Sequence, residues 1–191
     1  MKDELRSKLS ENIEDSILDD IMNNADVHSL QKGEKLVSYG QLKRNIYIIL
    51  NGSLISNITT KQGTTQTVMF HTSEFLPIVT SIDSYLLKST TEYDIVANEQ
   101  TTVMEVNFNT FNDLIEQNHA LAIFCTNYMI KKYYITEVFR NNLISKTPKQ
   151  FLEFLYSDYP FFFQRFSAFS IANFMGITPE WFSKVKKELL S

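Results

Sequence analysis

Apolar positions along the chain fall into three zones of different period. From Glu11 to Asn24, Ile13, Ile17, Leu18 and Ile21 recur at helical spacing and Asn23-Asn24 closes the run, so an amphipathic helix is expected there. Between His28 and Val106 the signal changes to short β-branched or aromatic runs: Lys35–Ser38, Asn45–Leu50, Ser53–Thr60, Thr65–Phe70, Tyr93–Ala97 and Thr102–Val106. Six such strands within about 80 residues predict a sandwich or barrel. Asn51-Gly52 reads as a type I′ hairpin and Lys61-Gln62-Gly63 as a longer turn. Phe75–Lys88 interrupts the strand rhythm and reads as a loop or short helix around Pro77.

Beyond Val106 the spacing is helical to the end. Phe111, Leu114 and Ile115 mark a short segment, and a long helix is expected from His119 to near Asn142. On it Leu121, Phe124, Tyr128, Ile135, Val138 and Asn142 lie at near-heptad spacing, interrupted by Lys131. Such a stripe fits the seam of a two-stranded coiled coil and equally a face packed on the β-domain. Thr147-Pro148-Lys149-Gln150 reads as a capping box with proline at the first helical position, which puts a boundary near residue 145.

Ser167 to Val185 carries the clearest motif. Ile171, Met175, Ile177, Phe182 and Val185 would face inward, Ala172 is small where two helices cross, and Gly176 suits a left-handed turn. Thr178 can cap the second helix and Pro179 fits its first turn. These are helix-turn-helix spacings, with a recognition helix over Pro179–Leu190 that presents Pro179, Glu180, Ser183, Lys184 and Lys187 outward. Lysine can read guanine acceptors and glutamate can accept from the cytosine amino group, so Lys184 and Glu180 are the candidates for base edges. Lys186 and Lys187, with Lys149 or Arg165, would meet phosphates, and Thr178 completes the DNA-facing set.

Charge distribution favours that reading. The net charge of the 191 residues is −4. Yet residues 1–130 hold 9 Lys and Arg against 17 Asp and Glu, net −8, whereas 131–191 hold 9 against 5, net +4. A local basic face is what counterion release from DNA requires, and a global acidic balance does not forbid it. Other classes find less support. No apolar run approaches the roughly 20 residues of a membrane span and no signal segment opens the chain, so a cytoplasmic protein is expected. The single cysteine, Cys125, cannot form an internal disulfide or a thiolate iron-sulfur site. His28, His71 and His119 are far apart, and neither a P-loop nor a dinucleotide fingerprint occurs. No catalytic residue, metal site or cofactor is therefore expected.

Taken in order, these segments resemble the Crp/Fnr family of bacterial regulators over roughly residues 12–190. Three stretches carry the likeness: Lys32-Gly33-Glu34-Lys35-Leu36-Val37 with Ile46 through Leu54, then Ile95 through Val106, then Ile171 through Leu189. The resemblance implies an α+β fold. An N-terminal double-stranded β-helix (a β-roll of jelly-roll type) would form a sensor domain over 1–118, a dimerisation helix would span 119–145, and a small all-α helix-turn-helix domain 146–191. It further implies a homodimer joined along Leu121, Phe124, Tyr128, Ile135 and Val138, bound to double-stranded operator DNA, with RNA polymerase and an unidentified small-molecule effector as further partners.

The effector pocket departs from the family pattern. Where nucleotide-binding members carry Gly-Glu-Leu, this chain has Ser73-Glu74-Phe75, keeping the glutamate alone. The Arg-Ser or Arg-Thr pair that holds the cyclic phosphate falls on Thr91-Glu92, and the adenine-contacting pair falls on Thr136-Glu137. A carboxylate thus stands where an arginine should meet an anion, so tight binding of cyclic AMP is not expected. Only Ser191 follows Leu190, so a recognition helix without a β-hairpin wing is expected. The competing reading is a signal-binding or protein-interaction module that has lost DNA contact.

Overall fold

The computed structural model describes residues 1–9, 13–60 and 63–190. Their strands are β1 (Ala25–Leu30), β2 (Lys35–Val37), β3 (Asn45–Asn51), β4 (Ser53–Thr59), β5 (Thr65–Thr72), β6 (Ile78–Thr80), β7 (Tyr93–Ala97) and β8 (Thr101–Asn107). They form two antiparallel sheets, ordered β1-β8-β3-β6 and β2-β7-β4-β5. Helices α1 (Lys2–Lys8) and α2 (Asp15–Asn23) precede the roll. After it come α3 (Phe108–Gln117), α4 (His119–Ser145), α5 (Pro148–Asp158), α6 (Phe162–Arg165), α7 (Ala168–Phe174) and α8 (Pro179–Leu190). The observed class is the expected α+β: a β-roll, a long helix and a helical C-terminal unit.

Three apolar layers hold it together. Leu36, Tyr47, Ile49, Leu54, Ile95 and Val103 fill the space between the sheets. Ile46, Ile48, Leu50, Met104 and Val106 point outward from the first sheet and are covered by α1, α2, α3 and the start of α4. β3 is therefore buried on both faces, which is why Ile46–Leu50 is continuously apolar rather than alternating. Outward residues of the second sheet, Ile55 and Phe70, join Ile135, Phe139 and the apolar faces of α5 to α8 in a third layer. Phe70 is its hub, with ring centroids 4.9, 4.4 and 5.2 Å from Phe162, Phe166 and Phe174. The sequence boundary near residue 145 is thus a boundary between helices but not between cores.

Several sequence expectations change. The helix expected over Glu11–Asn24 begins at Asp15, and a separate α1 precedes it with Leu5 fully buried. The expected start at Glu11, like the turn at Lys61-Gln62, lies outside the described residues. β1 has no alternating apolar pattern because it is an exposed edge strand, held by its ladder to β8. Phe75–Lys88 contains the three-residue β6 as well as a π-helical turn, Asp83–Leu87.

Asn51-Gly52 is not a hairpin. β3 and β4 belong to different sheets, and the chain turns a corner between them. Only Gly52 has positive φ, at 94°, and a Cβ there would lie 2.6 Å from Thr101 Oγ1 and 2.7 Å from the Gln100 carbonyl. The glycine is demanded by close approach of the β8 backbone as well as by its own torsion.

The stripe expected as a dimer seam also resolves differently. Leu121 and Ile135 are buried within this chain. The Tyr128 hydroxyl accepts from Ile78 N–H at 2.9 Å and donates to the Ile78 carbonyl at 3.0 Å, while Phe124 packs under α1 and α3 and Val138 is half-buried. Leu121, Phe124 and Tyr128 therefore pack α4 against its own roll and N-terminal helices, and Ile135 joins the layer shared with the C-terminal unit. The exposed apolar residues of α4 are Ile123, Met129, Ile130, Tyr133, Tyr134 and Ile144.

Candidate nucleic-acid interface

Local chemistry builds the C-terminal unit much as its sequence dictates. Thr147 Oγ1 accepts from Gln150 N–H at 3.3 Å while Gln150 Oε1 accepts from Thr147 N–H at 3.0 Å, the reciprocal capping box that starts α5. Ser167 Oγ caps α7 through Ser170 N–H at 3.0 Å, and Thr178 Oγ1 caps α8 through Trp181 N–H at 3.2 Å. Between the two helices Gly176 takes φ 67°, the left-handed value that lets the chain reverse.

The inward set is Ile171, Ala172, Phe174, Phe182 and Val185, all buried, with Met175 and Ile177 half-buried against them. That packing fixes which side of α8 is free. Thr178, Pro179, Glu180, Ser183, Lys184 and Lys187 are exposed on it, and Lys186 is half-buried. Glu180 at the first turn has a carboxyl held below the ordinary range by its own backbone N–H and by the Thr178 hydroxyl. Trp181 does not stand out in the sequence as a DNA-facing residue, yet it is 51% exposed on the same turn. Spacing alone hides it, because Trp181 lies four residues before the buried Val185 and so reads as part of the inward stripe.

Of the two supplementary phosphate candidates, Lys149 is exposed. Arg165 is not free to serve, because its Nη2 lies 3.1 Å from Glu99 Oε1 and donates to the Gly52 carbonyl at 3.2 Å. It clamps the C-terminal unit to the roll instead. Asn98 Nδ2 donates to the Arg165 carbonyl at 2.9 Å in the same clamp.

Of the five effector-pocket candidates, Glu74 is the one in the wall of an open cleft of about 620 Å³ between α1 and α4, whose other polar walls include Lys8, Asn127 and Lys131. Burial pushes its carboxyl up, but hydrogen bonds from Ser73 and Thr72 and the charge of Lys8 outweigh that and hold it low. Thr91 is buried elsewhere, its Oγ1 donating to the Tyr93 carbonyl at 3.3 Å, and Glu92 N–H donates to Asp83 Oδ2 at 3.2 Å. On α4, Thr136 Oγ1 donates to the Lys132 carbonyl at 2.9 Å and Glu137 pairs with Arg140. None of these four lies in the wall of the Glu74 cleft.

The groups that could suggest catalysis are separated. His28 meets Glu105 at 3.0 Å on the exposed β1, and His119 begins α4. His71 is buried between Ser56 Oγ at 3.1 Å and the Leu76 carbonyl at 3.3 Å, and burial, helped by nearby Lys132, pushes its pKa down to about 3. Burial pushes the Cys125 thiol up to about 11, opposite to what a nucleophile needs. Among the described residues no cluster of His, Cys, Asp and Glu could hold a metal, and no helix is long and apolar enough to cross a membrane.

Comparison with known proteins agrees with this architecture. Residues 27–118 match the family model of the cyclic nucleotide-binding domain, somewhat less than half of the chain. No curated protein matches by sequence. Among solved structures, FixK2 from Bradyrhizobium japonicum superposes with a TM-score of 0.71 at 16% identity, over 86% of this chain and 84% of that one. The c-di-GMP responsive global regulator CLP of Xanthomonas campestris gives 0.71 at 12% identity, over 93% and 92%. The catabolite activator protein of Thermus thermophilus gives 0.56 at 14% identity, over 94% and 85%. At such identities the likeness is one of fold: a β-roll, long helix and C-terminal helices arranged as in Crp/Fnr regulator structures.

Proposed function

We propose that this chain is a cytoplasmic Crp/Fnr-type transcription regulator that reads operator DNA with α8. One observation carries the reading. α7 and α8 meet at the tight Gly176 turn, and their packing buries Phe182 and Val185 and leaves Thr178, Pro179, Glu180, Ser183, Lys184 and Lys187 on one open side, as a helix-turn-helix reading requires. Lys184 and Glu180 address base edges, while Lys186 and Lys187 position the helix on phosphates.

The regulator acts as a homodimer, so two copies of α8 meet half-sites about 34–36 Å apart on a pseudo-palindrome. The joining face is the outer side of α4, with Ile123, Ile130 and Ile144 at seven- and fourteen-residue intervals and Tyr133 and Tyr134 between them. Cyclic AMP is not its effector, because Thr91 and the carboxylate Glu92 stand where the phosphate-holding arginine pair is expected. A calorimetric titration giving micromolar affinity for cyclic AMP would overturn that part.

Binding of genomic fragments by the wild type, Lys184→Ala and Glu180→Ala at several salt concentrations tests the DNA reading. Affinity should fall steeply with salt, and Lys184→Ala should relax preference at one base pair by about 1–3 kcal/mol. A second reading rests on Trp181 and Phe169, exposed at 51% and 63% on the same helical pair, which suit a protein-binding surface. Unchanged footprints in both variants, with binding to a protein partner lost in Trp181→Ala, would favour it.

A further inference from the structure

A second cavity lies apart from both the Glu74 cleft and the open side of α8. It occupies about 130 Å³ between the outer face of the first sheet, the π-helical turn, α3 and α4. Ile46, Ile78, Phe111 and Ile115 supply apolar walls, and the exposed Leu86 and Met129 frame the mouth. One charged side chain, Lys132, lines this largely apolar space, with Thr80 and Tyr85 among its neighbours. Desolvation pulls its pKa down, and no carboxylate or hydrogen-bond acceptor stands against its ammonium among the described residues. Lys132 is half-buried, and a desolvated cation without a partner is costly unless something anionic joins it.

We propose that this cavity binds a small apolar monocarboxylate, its hydrocarbon body among Ile46, Phe111 and Ile115 and its carboxylate on Lys132 Nζ. The volume sets the size. An apolar cavity of about 150 Å³ accepts one benzene-sized molecule, so the ligand carries no more than about six carbon atoms. Larger anions such as nucleotides do not fit. Cys125 and Tyr128 also line the chamber, so an occupant touches the segment of α4 midway between its attachment to α3 and its attachment to the C-terminal core. The assignment does not depend on DNA binding, and its test uses the protein alone.

Hexanoate and its neutral isostere hexanamide are titrated calorimetrically into the full chain, and alkylation of Cys125, its single cysteine, is timed with and without each probe. Hexanoate should bind saturably in the micromolar to low-millimolar range open to so small a ligand, about tenfold tighter than hexanamide, and should slow alkylation. Lys132→Met should bind the two probes equally, and Ile115→Trp, which fills the chamber, should bind neither. If Ile115→Trp does not fold, Lys132→Met still decides. The proposal fails if hexanoate does not bind saturably, if hexanamide binds as tightly to the wild type, if Lys132→Met keeps the preference, or if Cys125 is not protected.

Discussion

Asn173 Nδ2, on α7, donates to the Thr65 carbonyl of β5 at 2.8 Å, and the same carboxamide accepts from Thr67 N–H. β5 is an edge strand of the second sheet, so these backbone groups have no neighbouring strand. One side chain on the C-terminal unit thus completes the ladder as a further strand would, and covers an edge that is otherwise open to pairing. Asn173→Ala should cost about 1–2 kcal/mol in urea unfolding and speed hydrogen exchange of the Thr67 amide. An amide still protected as in the wild type would show that the edge is held by the Phe70 cluster alone.

Gly52 predicts a backbone lesion. With φ at 94° and Thr101 Oγ1 only 2.6 Å from where a Cβ would stand, Gly52→Ala meets both torsional strain and a clash with β8. The torsion alone costs about 1–3 kcal/mol. Denaturant midpoints should fall accordingly, whereas Gly63→Ala, with open space around it, should lose only the torsional part. Equal losses in the two variants would contradict the close-approach argument.

His71 predicts a pH dependence. Its folded pKa, near 3, lies below the ordinary 6.5, so the unfolded chain binds the extra proton between those values. The contribution is fully present above about pH 6.5 and is lost as pH falls toward 3, at up to about 1.4 kcal/mol per unit. Unfolding free energies measured at pH 7 and pH 5 should differ in the wild type. His71→Asn, which can still donate to the Leu76 carbonyl, should flatten that interval. A slope unchanged by the substitution would assign the dependence to other groups.

On the outer side of α4, Ile130 and Tyr134 are 62% and 65% exposed in the single chain. In the proposed dimer they are covered. Light scattering should then find a dimer for the wild type and a monomer for Ile130→Asp or Tyr134→Asp, with thermal unfolding of the protomer little changed. Ile135→Asp, which puts a charge into the shared core, should instead prevent folding. Dimers that survive both outer substitutions would move the interface elsewhere.

What could be read in the sequence and what could not divide along physical lines. Capping by Thr147 and Thr178 and the left-handed turn at Gly176 were all legible, because each depends on a few neighbouring backbone groups. β1 was not, since its pattern is polar and its stability comes from pairing Ala25–Leu30 with residues some 80 positions away. Counting along a family pattern could nominate Glu74, Thr91, Glu92, Thr136 and Glu137, but which of them share a cavity wall is a property of side chains in space, and Glu74 alone of the five lines the cleft between α1 and α4.

The helix α4 marks the division most sharply. Sequence alone determined that a long helix runs from His119 and that a new one begins after Thr147. It could not choose a seam, because apolar residues occur all round α4 and no single stripe dominates. Tertiary structure made the choice: the roll and the C-terminal core take Leu121, Tyr128, Ile135 and Phe139, and the remaining apolar side, Ile123 to Ile144, is left facing outward. Local hydrogen bonding fixes where a helix starts and stops, whereas the face it buries is set by the surfaces that arrive from elsewhere in the chain.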